Sequence, residues 1–426
     1  APEIPWYAGA SKLFDDEVRF VGEEIAVVAA DDLEVARDAL RLIDVEYEIL
    51  PSILDIREGV RPGAPQIHPK GNVLKDSEGI EGELYTRGDT EKGFKQADVI
   101  VERLFRTPTA LHQSFETHGS VAMWEGDELT IWDSTQYIFG VRDRVATSLK
   151  IPLSKVRVIC EYMGGGFGSK GQTLKHGVIA ALLAKATRRP VKLMLDRREE
   201  SLLTGNRGET IQTLKIGAKR DGTLTAIDLH ALYGTGAYAT WTGTVDGPAK
   251  ELYACPNVRA HVVGIRTNLG THAAFRAPGF VEGTFALESI MDELAEKLGM
   301  DALAIRKKNY CERDPGSGQE YTAKGLMQCY SKAFEQLGKP EPGQLPALTP
   351  RQSPWRRGTG MASQIWSGGG GPPAHALVRF NSDGTVEVMC GTQDIGTGIK
   401  TALSQIVAEE LDLPLSSVRF RLGDTQ

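Results

Sequence analysis

The pattern of apolar and polar positions divides the chain into three stretches, of which the first is short. Residues 17–30 and 45–50 carry the apolar runs typical of strands, and residues 33–43 repeat apolar positions at the spacing of an amphipathic helix. A stretch rich in Pro and Gly at 61–71 then interrupts the pattern. We therefore predict a small α/β unit over residues 1–70, in which 17–30 form a pair of strands.

The long middle stretch is predicted to be mostly β-structure. Strands are expected at 99–105, 129–132, 156–160, 191–195 and 258–266, and a hairpin joins 211–218 to 224–232 through Arg-Asp-Gly. Amphipathic helices are expected at 285–298, ending at Gly299, and at 323–337. A linker rich in Pro and Gly at 338–354 precedes a last segment with a hairpin through Ser-Asp-Gly at 382–384. We predict an α+β fold of mixed sheets with flanking helices, with further domains over 71–340 and 341–426.

Two segments, 127–158 and 384–420, share one order of features. Each has a strand, a Thr-Gln pair, a helix-like stretch, the pattern Pro-Leu-Ser-x-Val-Arg and a second strand. The Thr-Gln pairs end at Gln136 and Gln393. A chance match of short patterns is the alternative, but the shared order favours a structural repeat.

Composition and charge exclude several classes of protein. A chain of 426 residues is long enough for two or three domains, and 41% hydrophobic and 25% charged residues are ordinary globular values. The net charge of −7 is spread along the chain, which argues against nucleic acid or an anionic membrane as partner. No apolar stretch is long enough to span a bilayer, and no signal peptide is visible.

The five cysteines are widely spaced and form no Cys-x-x-Cys pair. This excludes a self-contained iron–sulfur or zinc-finger site and is typical of a reducing compartment, so we expect a cytoplasmic protein. His112 and His118 lie near Glu116, but their spacing does not place two ligands on one helix face. Ordinary polar roles are therefore favoured over a metal site at these three residues.

The run Met-Gly-Gly-Gly-Phe-Gly-Ser-Lys-Gly at 163–171 lies between a predicted strand and a helix-like segment, and three interpretations are open. Gly166, Gly168 and Gly171 match the dinucleotide pattern Gly-x-Gly-x-x-Gly. However, the acidic residue after the next strand, Asp196, is thirty residues from Gly166, where about twenty is usual, and hairpins replace the βαβ units. A structural turn anchored by Phe167 is the second interpretation. The third is a cofactor held by backbone amides, because glycines let N–H groups reach acceptors on a bound anion.

Two further segments favour the cofactor interpretation. Ala-Phe-Arg-Ala-Pro-Gly at 274–279 places Arg276 among small residues, where a guanidinium suits an anion or an oxo group. Thr-Gln-Asp-Ile-Gly-Thr-Gly at 392–398 is a glycine turn at a predicted helix start, which is another anion-binding geometry. Together the three segments predict several walls of one large anionic cofactor.

These segments resemble those of the molybdenum-cofactor-binding large subunits of the xanthine dehydrogenase and aldehyde oxidase family. The resemblance is carried by MGGGFGSK, by the Thr-Gln pair at Gln136, by AFRAPG and by DIGTG. The opening segments DDEVRFVGEEIAVVAA and ALRLIDVEYEILPSI are similar to the family's a/b hammerhead domain. The resemblance covers essentially the whole chain. It implies that 1–70 is a partial hammerhead domain, that 71–340 is a first molybdopterin-binding domain, and that 341–426 begins a second, truncated one.

The resemblance also implies a role for each matching residue. Gln136 would hydrogen-bond an oxo ligand of molybdenum, the amide of Phe167 would face an oxygen ligand of the metal, and Arg276 would lie just outside the metal's ligands. The remaining cofactor contacts would come from Gly165, Gly166, Gly168, Gly396, Thr397 and Gly398. Thr397 departs from the family, in which many members have Gln.

The implied activity is that of a molybdenum hydroxylase, which oxidises an electron-poor carbon with water as the oxygen source. The implied cofactor is molybdopterin in its cytosine dinucleotide form, with molybdenum. Iron–sulfur clusters, and FAD as a further candidate, would lie on partner subunits. The family's base is a glutamate in a late Gly-x-Gly-Glu segment that this chain lacks, and the similar run at Glu23 and Glu24 is expected to be structural. We therefore expect the isolated chain to be inactive until a partner chain, or the rest of a longer protein, completes the site.

Three residues argue against a purine or carbon monoxide as the substrate. Xanthine-oxidising relatives have a glutamate where this chain has Gly171 and an aromatic residue where it has Pro278, so a purine is disfavoured. Carbon monoxide dehydrogenases have a cysteine in place of Ala277. An aldehyde or an N-heteroaromatic ring is expected, and Trp366 could line a substrate channel, although a plain loop is favoured there. A xanthine dehydrogenase subunit and a non-catalytic, truncated cofactor-binding homologue are the alternatives.

Overall fold

The computed structural model describes residues 3–4, 11–75, 79, 81–171, 174–336, 360–366 and 374–426. Its strands are β1 (Glu3–Ile4), β2 (Ser11–Lys12), β3 (Glu83–Arg87), β4 (Val99–Thr107), β5 (Gly119–Glu125), β6 (Glu128–Asp133), β7 (Val156–Ile159), β8 (Val191–Met194), β9 (Thr210–Ala218), β10 (Leu224–Gly236), β11 (Val258–Arg266), β12 (Ala376–Phe380), β13 (Val386–Cys390) and β14 (Val418–Leu422). Its helices are α1 (Leu33–Arg41), α2 (Ile56–Gly59), α3 (Thr90–Lys95), α4 (Ile138–Leu149), α5 (Lys175–Thr187), α6 (Arg197–Leu203), α7 (Gly247–Glu251), α8 (Phe280–Leu298), α9 (Ala302–Lys308), α10 (Leu326–Gln336) and α11 (Ile399–Glu410).

The largest sheet has the strand order β3-β11-β10-β9-β4, in which only β10 and β11 run parallel. Helix α8 packs on this sheet and contributes apolar residues at helical spacing to the main core, namely Leu287, Ile290, Met291 and Leu294. The helix begins at Phe280, earlier than predicted, and ends as predicted at Gly299, which is left-handed with φ 66°. The mixed sheets with flanking helices confirm the predicted α+β class.

The repeat found in the sequence is confirmed by the topology. In the first copy β5 and β6 are antiparallel, α4 follows β6, and β7 returns parallel to β6. In the second copy β12, β13, α11 and β14 are arranged in the same way. Each closing strand is preceded by one 3₁₀ turn, at Leu153–Lys155 and Leu415–Ser417. The chain therefore contains two ββαβ units.

The two ββαβ units meet at the ends of their closing strands. The amide of Cys160 donates to the carbonyl of Gly423 at 2.7 Å, and Arg157 pairs with Asp424 at 2.5 Å. Ile159 and Asp424 also form an antiparallel bridge. This junction places the glycine loop, which follows β7, next to the second unit.

The N-terminal stretch departs from the sequence prediction. The helix at 33–43 is confirmed as α1, but the strands predicted at 17–30 and 45–50 are wrong, since neither segment forms a strand. Helix α1 buries no residue, and Leu42 and Ile49 are 85% and 94% exposed. A strand needs a neighbouring edge for its backbone hydrogen bonds, and these segments find none within the described residues. An apolar run alone therefore does not make a strand here.

Two other sequence predictions concern the C-terminal third. The helix predicted at 323–337 starts at Leu326 as α10, and the hairpin at 382–384 is confirmed between β12 and β13. The linker at 338–354 lies outside the described residues. Across the part of the chain that the structure describes, no helix has the length and apolarity needed to cross a membrane.

Candidate cofactor site

The glycine loop has a backbone that side chains rarely permit. Gly165 and Gly168 have φ of 93° and 115°, and Phe167 between them has φ 54°. A Cβ at Gly168 would clash with the carbonyl oxygen of Ala274. Glycine at this position is therefore required both by the left-handed backbone and by the close approach of the neighbouring chain segment.

Gln136 lies against this loop. Its Oε1 accepts the amide hydrogen of Gly168 at 2.8 Å, and its own amide donates to the carbonyl of Lys170 at 2.8 Å. A Cβ on Gly166 would be 2.5 Å from the same Oε1. Because Oε1 is engaged, Nε2 is the part of the carboxamide that is left for a ligand, and it has no acceptor among the residues described.

Arg276 lies on a turn that is bonded to the same loop. Its amide donates to the carbonyl of Phe167 at 2.8 Å, and Ala277 after it has φ 58°. Its guanidinium is exposed and makes no ion pair or hydrogen bond with any described residue. The structure thus brings a free guanidinium to the edge of the glycine loop.

Two buried residues hold this turn in place, and the sequence indicated neither of them for this role. Arg207 donates to the carbonyls of Phe275 and Arg276 at 2.7 and 2.9 Å and pairs with Glu282 at 2.5 Å. His112 hydrogen-bonds the carbonyl of Ala274 through Nε2 at 2.7 Å. Burial lowers the pKa of His112, so the ring is a neutral N–H donor. Neither residue stands in a motif, because their partners are backbone carbonyls distant in the sequence.

The turn at 394–398 is joined to the loop from the other ββαβ unit. Asp394 donates its amide to the carbonyl of Glu161 at 2.9 Å and accepts the amide of Met163 at 3.3 Å. Its carboxylate accepts the amides of Gly396 and Gly398 at 3.0 and 3.2 Å. The residues at 396–398 are exposed, and a Cβ on Gly396 or Gly398 would meet nothing within 4 Å. This turn therefore forms an open rim beside the glycine loop.

The arrangement fits a large anionic ligand. The amides of Gly165, Gly166 and Phe167 donate to no acceptor in the described part of the chain, so three consecutive N–H groups are available. The Phe167 ring is 46% exposed. Together with the carboxamide of Gln136 and the guanidinium of Arg276, these donors suit the oxygen and phosphate acceptors of a molybdopterin.

The dinucleotide interpretation of the loop is not supported. Gly171 ends a 3₁₀ turn ahead of α5, and Asp196 caps α6 by accepting the amide of Glu199, so neither has the place of a dinucleotide-binding residue. Within the described ranges no three His, Cys, Asp or Glu residues are grouped to hold a metal ion. His118, one member of the metal alternative, is instead hydrogen-bonded to buried Glu200 at 3.0 Å.

The run at Glu23 and Glu24 has internal partners. Glu23 is buried, and its carboxylate accepts the hydroxyl of Tyr238 at 2.5 Å and the amide of Arg19 at 2.7 Å. Glu24 pairs with Lys175 at 3.2 Å. These contacts tie the N-terminal stretch to Tyr238 and to the start of α5.

Comparison with known protein families finds domain matches over nearly the whole chain. Residues 68–310 and 343–426 match two models described as molybdopterin cofactor-binding domains, and residues 5–51 match the aldehyde oxidase and xanthine dehydrogenase a/b hammerhead domain.

The chain is also similar to curated proteins. It is 34% identical to the xanthine dehydrogenase molybdenum-binding subunit of Escherichia coli O157:H7, a match covering 96% of this chain and 55% of that protein. It is 33% identical to the aldehyde oxidoreductase molybdenum-binding subunit PaoC of Escherichia coli K12, covering 95% and 53%, and 30% identical to the nicotine 6-hydroxylase large subunit of Paenarthrobacter nicotinovorans, covering 96% and 53%. The chain thus spans about half the length of these relatives.

Two solved structures share the fold of this chain. The aldehyde oxidoreductase of Desulfovibrio desulfuricans superposes with a TM-score of 0.85 at 25% identity, over 99% of this chain and 48% of that one. The Cu,Mo-containing CO dehydrogenase superposes with a TM-score of 0.83 at 25% identity, over 98% and 58%. On the matched domains, the sequence identity and the shared fold, the chain belongs to the xanthine dehydrogenase and aldehyde oxidase family of molybdenum-binding subunits.

Proposed function

We propose that this chain binds molybdopterin with molybdenum between the glycine loop, Gln136, Arg276 and the turn at 394–398. We further propose that the enzyme it belongs to hydroxylates an aldehyde or an N-heteroaromatic carbon, with water as the oxygen source. The observation that carries the proposal is the set of three consecutive amides, from Gly165 to Phe167, without a described protein acceptor. A buried amide in a purely structural turn is normally paired with a protein acceptor, and Gly166 is buried.

When bound, the cofactor supplies a molybdenum centre that takes two electrons from the substrate carbon. The chain's own residues bind it and shape the surrounding field. The carboxamide of Gln136, through Nε2, and the amide of Phe167 would donate hydrogen bonds to oxygen acceptors of the bound group. The guanidinium of Arg276 would stabilise negative charge that develops during the reaction. The pterin or its phosphate would be held by Gly396, Thr397 and Gly398.

The base that removes a proton is proposed to lie outside this chain. A carboxylate that contacts the glycine loop, that of Glu116, already accepts the amide of Gly164 and lies 3.6 Å from the ammonium of Lys170. Both contacts engage the same oxygen, Oε2, so this carboxylate holds the loop and the buried ammonium in place. A glutamate from a partner chain, or from a further segment of a longer protein, is the expected base.

Two positions of the site disfavour a purine as substrate. Gly171 is exposed and has no side chain with which to contact a purine, and a Cβ there would meet nothing within 4 Å. Pro278 offers no aromatic face for a ring to stack on. These features favour an aldehyde over a purine. The second candidate is a xanthine dehydrogenase, which the name of the Escherichia coli O157:H7 relative supports.

Partners and compartment follow from the same proposal. Electrons would leave through iron–sulfur clusters on a partner subunit, with a flavin subunit carrying FAD as a further candidate. The cofactor would be the cytosine dinucleotide form. Five free cysteines, all among the described residues, support a reducing compartment such as the cytoplasm.

The test is to purify the chain from its native cells with whatever chains accompany it. Molybdenum would be measured by mass spectrometry, the pterin by the fluorescence of its oxidised form, and the nucleotide by acid release of CMP. Turnover of benzaldehyde, quinoline and hypoxanthine would be compared with a dye as electron acceptor. We expect molybdenum near one per chain and the fastest turnover with benzaldehyde. A complex without molybdenum would overturn the proposal, and faster hypoxanthine turnover would favour the second candidate.

A further inference from the structure

Lys170, at the end of the glycine loop, is a charged group that the proposed function does not use. Its side chain is fully buried, at 0% exposure. Its ammonium donates to the backbone carbonyl of Glu116 at 2.9 Å and to Oγ of Ser134 at 2.7 Å, and it lies 3.6 Å from Oε2 of Glu116. A buried ammonium is costly unless it is paired and hydrogen-bonded, so these contacts fix its position.

The partners of this ammonium lie on two sides of the candidate site. Glu116 is joined to the start of the glycine loop, because its carboxylate accepts the amide of Gly164 and its own amide donates to the Gly164 carbonyl at 3.1 Å. Ser134 lies two residues before Gln136, on the segment that follows β6. The ammonium therefore connects the start of the loop to the segment that carries Gln136.

The backbone of Lys170, at the other end of the loop, is also hydrogen-bonded to the segment that carries Gln136. Its carbonyl accepts the amide of Gln136 at 2.8 Å and the hydroxyl of Thr135 at 3.1 Å. The carboxamide of Gln136 then returns to the loop by accepting the amide of Gly168 at 2.8 Å. The position of the carboxamide thus depends on where Lys170 is held.

We propose that Lys170 is a positioning residue of the cofactor site, whose buried ammonium, paired with Glu116, sets the placement of Gln136 against the glycine loop. The inference rests on the proposed function, since Gln136 and the loop amides are the groups that would meet the metal. Lys170 acts through these groups and not on the cofactor itself. Residues that support the groups around a metal in this way lower activity by about 10- to 100-fold when they are replaced.

The test uses the complex as it is purified from cells, with three variants of this chain. Lys170→Met removes the ammonium and keeps the length of the side chain. Glu116→Gln keeps an acceptor for Gly164 but removes the charge. Lys175→Met is the matched control, because Lys175 is also buried and forms ion pairs with Glu23 and Glu24 in place of Glu116.

Four measurements separate positioning from general destabilisation: molybdenum content, steady-state kinetics, the Mo(V) signal and amide hydrogen exchange. We expect Lys170→Met to retain molybdenum, to lose kcat by about 10- to 100-fold and to keep KM within about threefold, with an altered Mo(V) electron paramagnetic resonance signal. Glu116→Gln should shift the same signal with a smaller loss of kcat. In metal-free protein, amide hydrogen exchange at Gln136 and Gly168 should be faster in Lys170→Met and unchanged in Lys175→Met.

The outcomes distinguish this inference from the proposed function. Wild-type kcat and signal in Lys170→Met, or equal effects of the Lys170 and Lys175 variants, would overturn the positioning role and leave the proposed function standing. If the wild-type complex holds no molybdenum, the proposed function fails. Amide exchange in the metal-free protein then still decides whether Lys170 holds Gln136 against the loop.

Discussion

Gly166 is a position at which one added methyl group should disturb the site directly. A Cβ there would lie 2.5 Å from Oε1 of Gln136 and 2.5 Å from the methyl group of Met163. Met163 can turn its flexible end away, but Gln136 is held by Gly168 at 2.8 Å. Because Gly166 does not have a positive φ, the effect of Gly166→Ala comes from this contact and not from backbone strain.

The size of the effect follows from the distances. The carboxamide oxygen has to retreat by about 1 Å to reach an ordinary contact distance of roughly 3.5 Å. A retreat of that size breaks its hydrogen bond to Gly168, which costs about 1 kcal/mol, and overpacking adds about 1–3 kcal/mol. A misplacement of about 1 Å at a group that we propose faces the metal should lower kcat by roughly 100-fold. Gly166→Val adds two further methyl groups and should block cofactor insertion while the chain still folds.

The assay combines molybdenum content, kcat and the unfolding free energy of the purified complex. Gly171→Ala is the matched control for content and stability, because a Cβ at Gly171 meets nothing within 4 Å and its φ is not positive. It should change the unfolding free energy by less than about 0.5 kcal/mol. If Gly166→Ala keeps wild-type molybdenum content and a kcat within about twofold, or if Gly166→Val keeps full molybdenum, the contact between Gly166 and Gln136 does not govern the site.

Three further predictions concern the residues that hold the site together. Asp394→Ala should lower the unfolding free energy by about 1–3 kcal/mol, because the amides of Gly396 and Gly398 lose their acceptor. Asp394→Asn keeps an acceptor oxygen and should lower it less. Equal losses in the two variants would contradict this reason. Arg207→Met should cost about 3–5 kcal/mol in unfolding experiments, since it leaves Glu282 buried without its partner, and the double change Arg207→Met with Glu282→Leu should recover stability if the unpaired charge is the cause. Burial lowers the pKa of His272 to about 3, so the folded chain binds fewer protons than the unfolded chain when the pH is below the unfolded pKa of about 6.5. The free energy of unfolding therefore keeps its full value above about pH 6.5. Below that it falls by about 1.4 kcal/mol per pH unit as the pH drops toward 3. Denaturation at pH 7.5 and 5.5 should give a steeper loss in wild type than in His272→Asn, and identical losses would show that His272 is not responsible.

Much of the local structure could be predicted because its causes lie close together in the sequence. The helical spacing in α8, the glycine that ends it and the hairpin turns all depend on neighbouring residues, and each was predicted near its observed place. The ββαβ repeat was also visible, because both copies keep the same residues at the strand ends. The strands at 17–30 and 45–50 were predicted wrongly, because pairing depends on a distant edge that an apolar pattern does not specify.

The sequence by itself determined the chemical character of the site: a glycine-rich segment at 163–168, a carboxamide at Gln136, a guanidinium at Arg276 and a second glycine turn at 394–398. Only the tertiary structure decided that these segments meet, since Arg276 bonds to Phe167 and Asp394 bonds to Met163. It also decided which residues support them, because Arg207, His112 and Lys170 act on backbone carbonyls. Every residue carries a carbonyl, so a bond of this kind leaves no pattern in the sequence, and only the folded chain selects its partner.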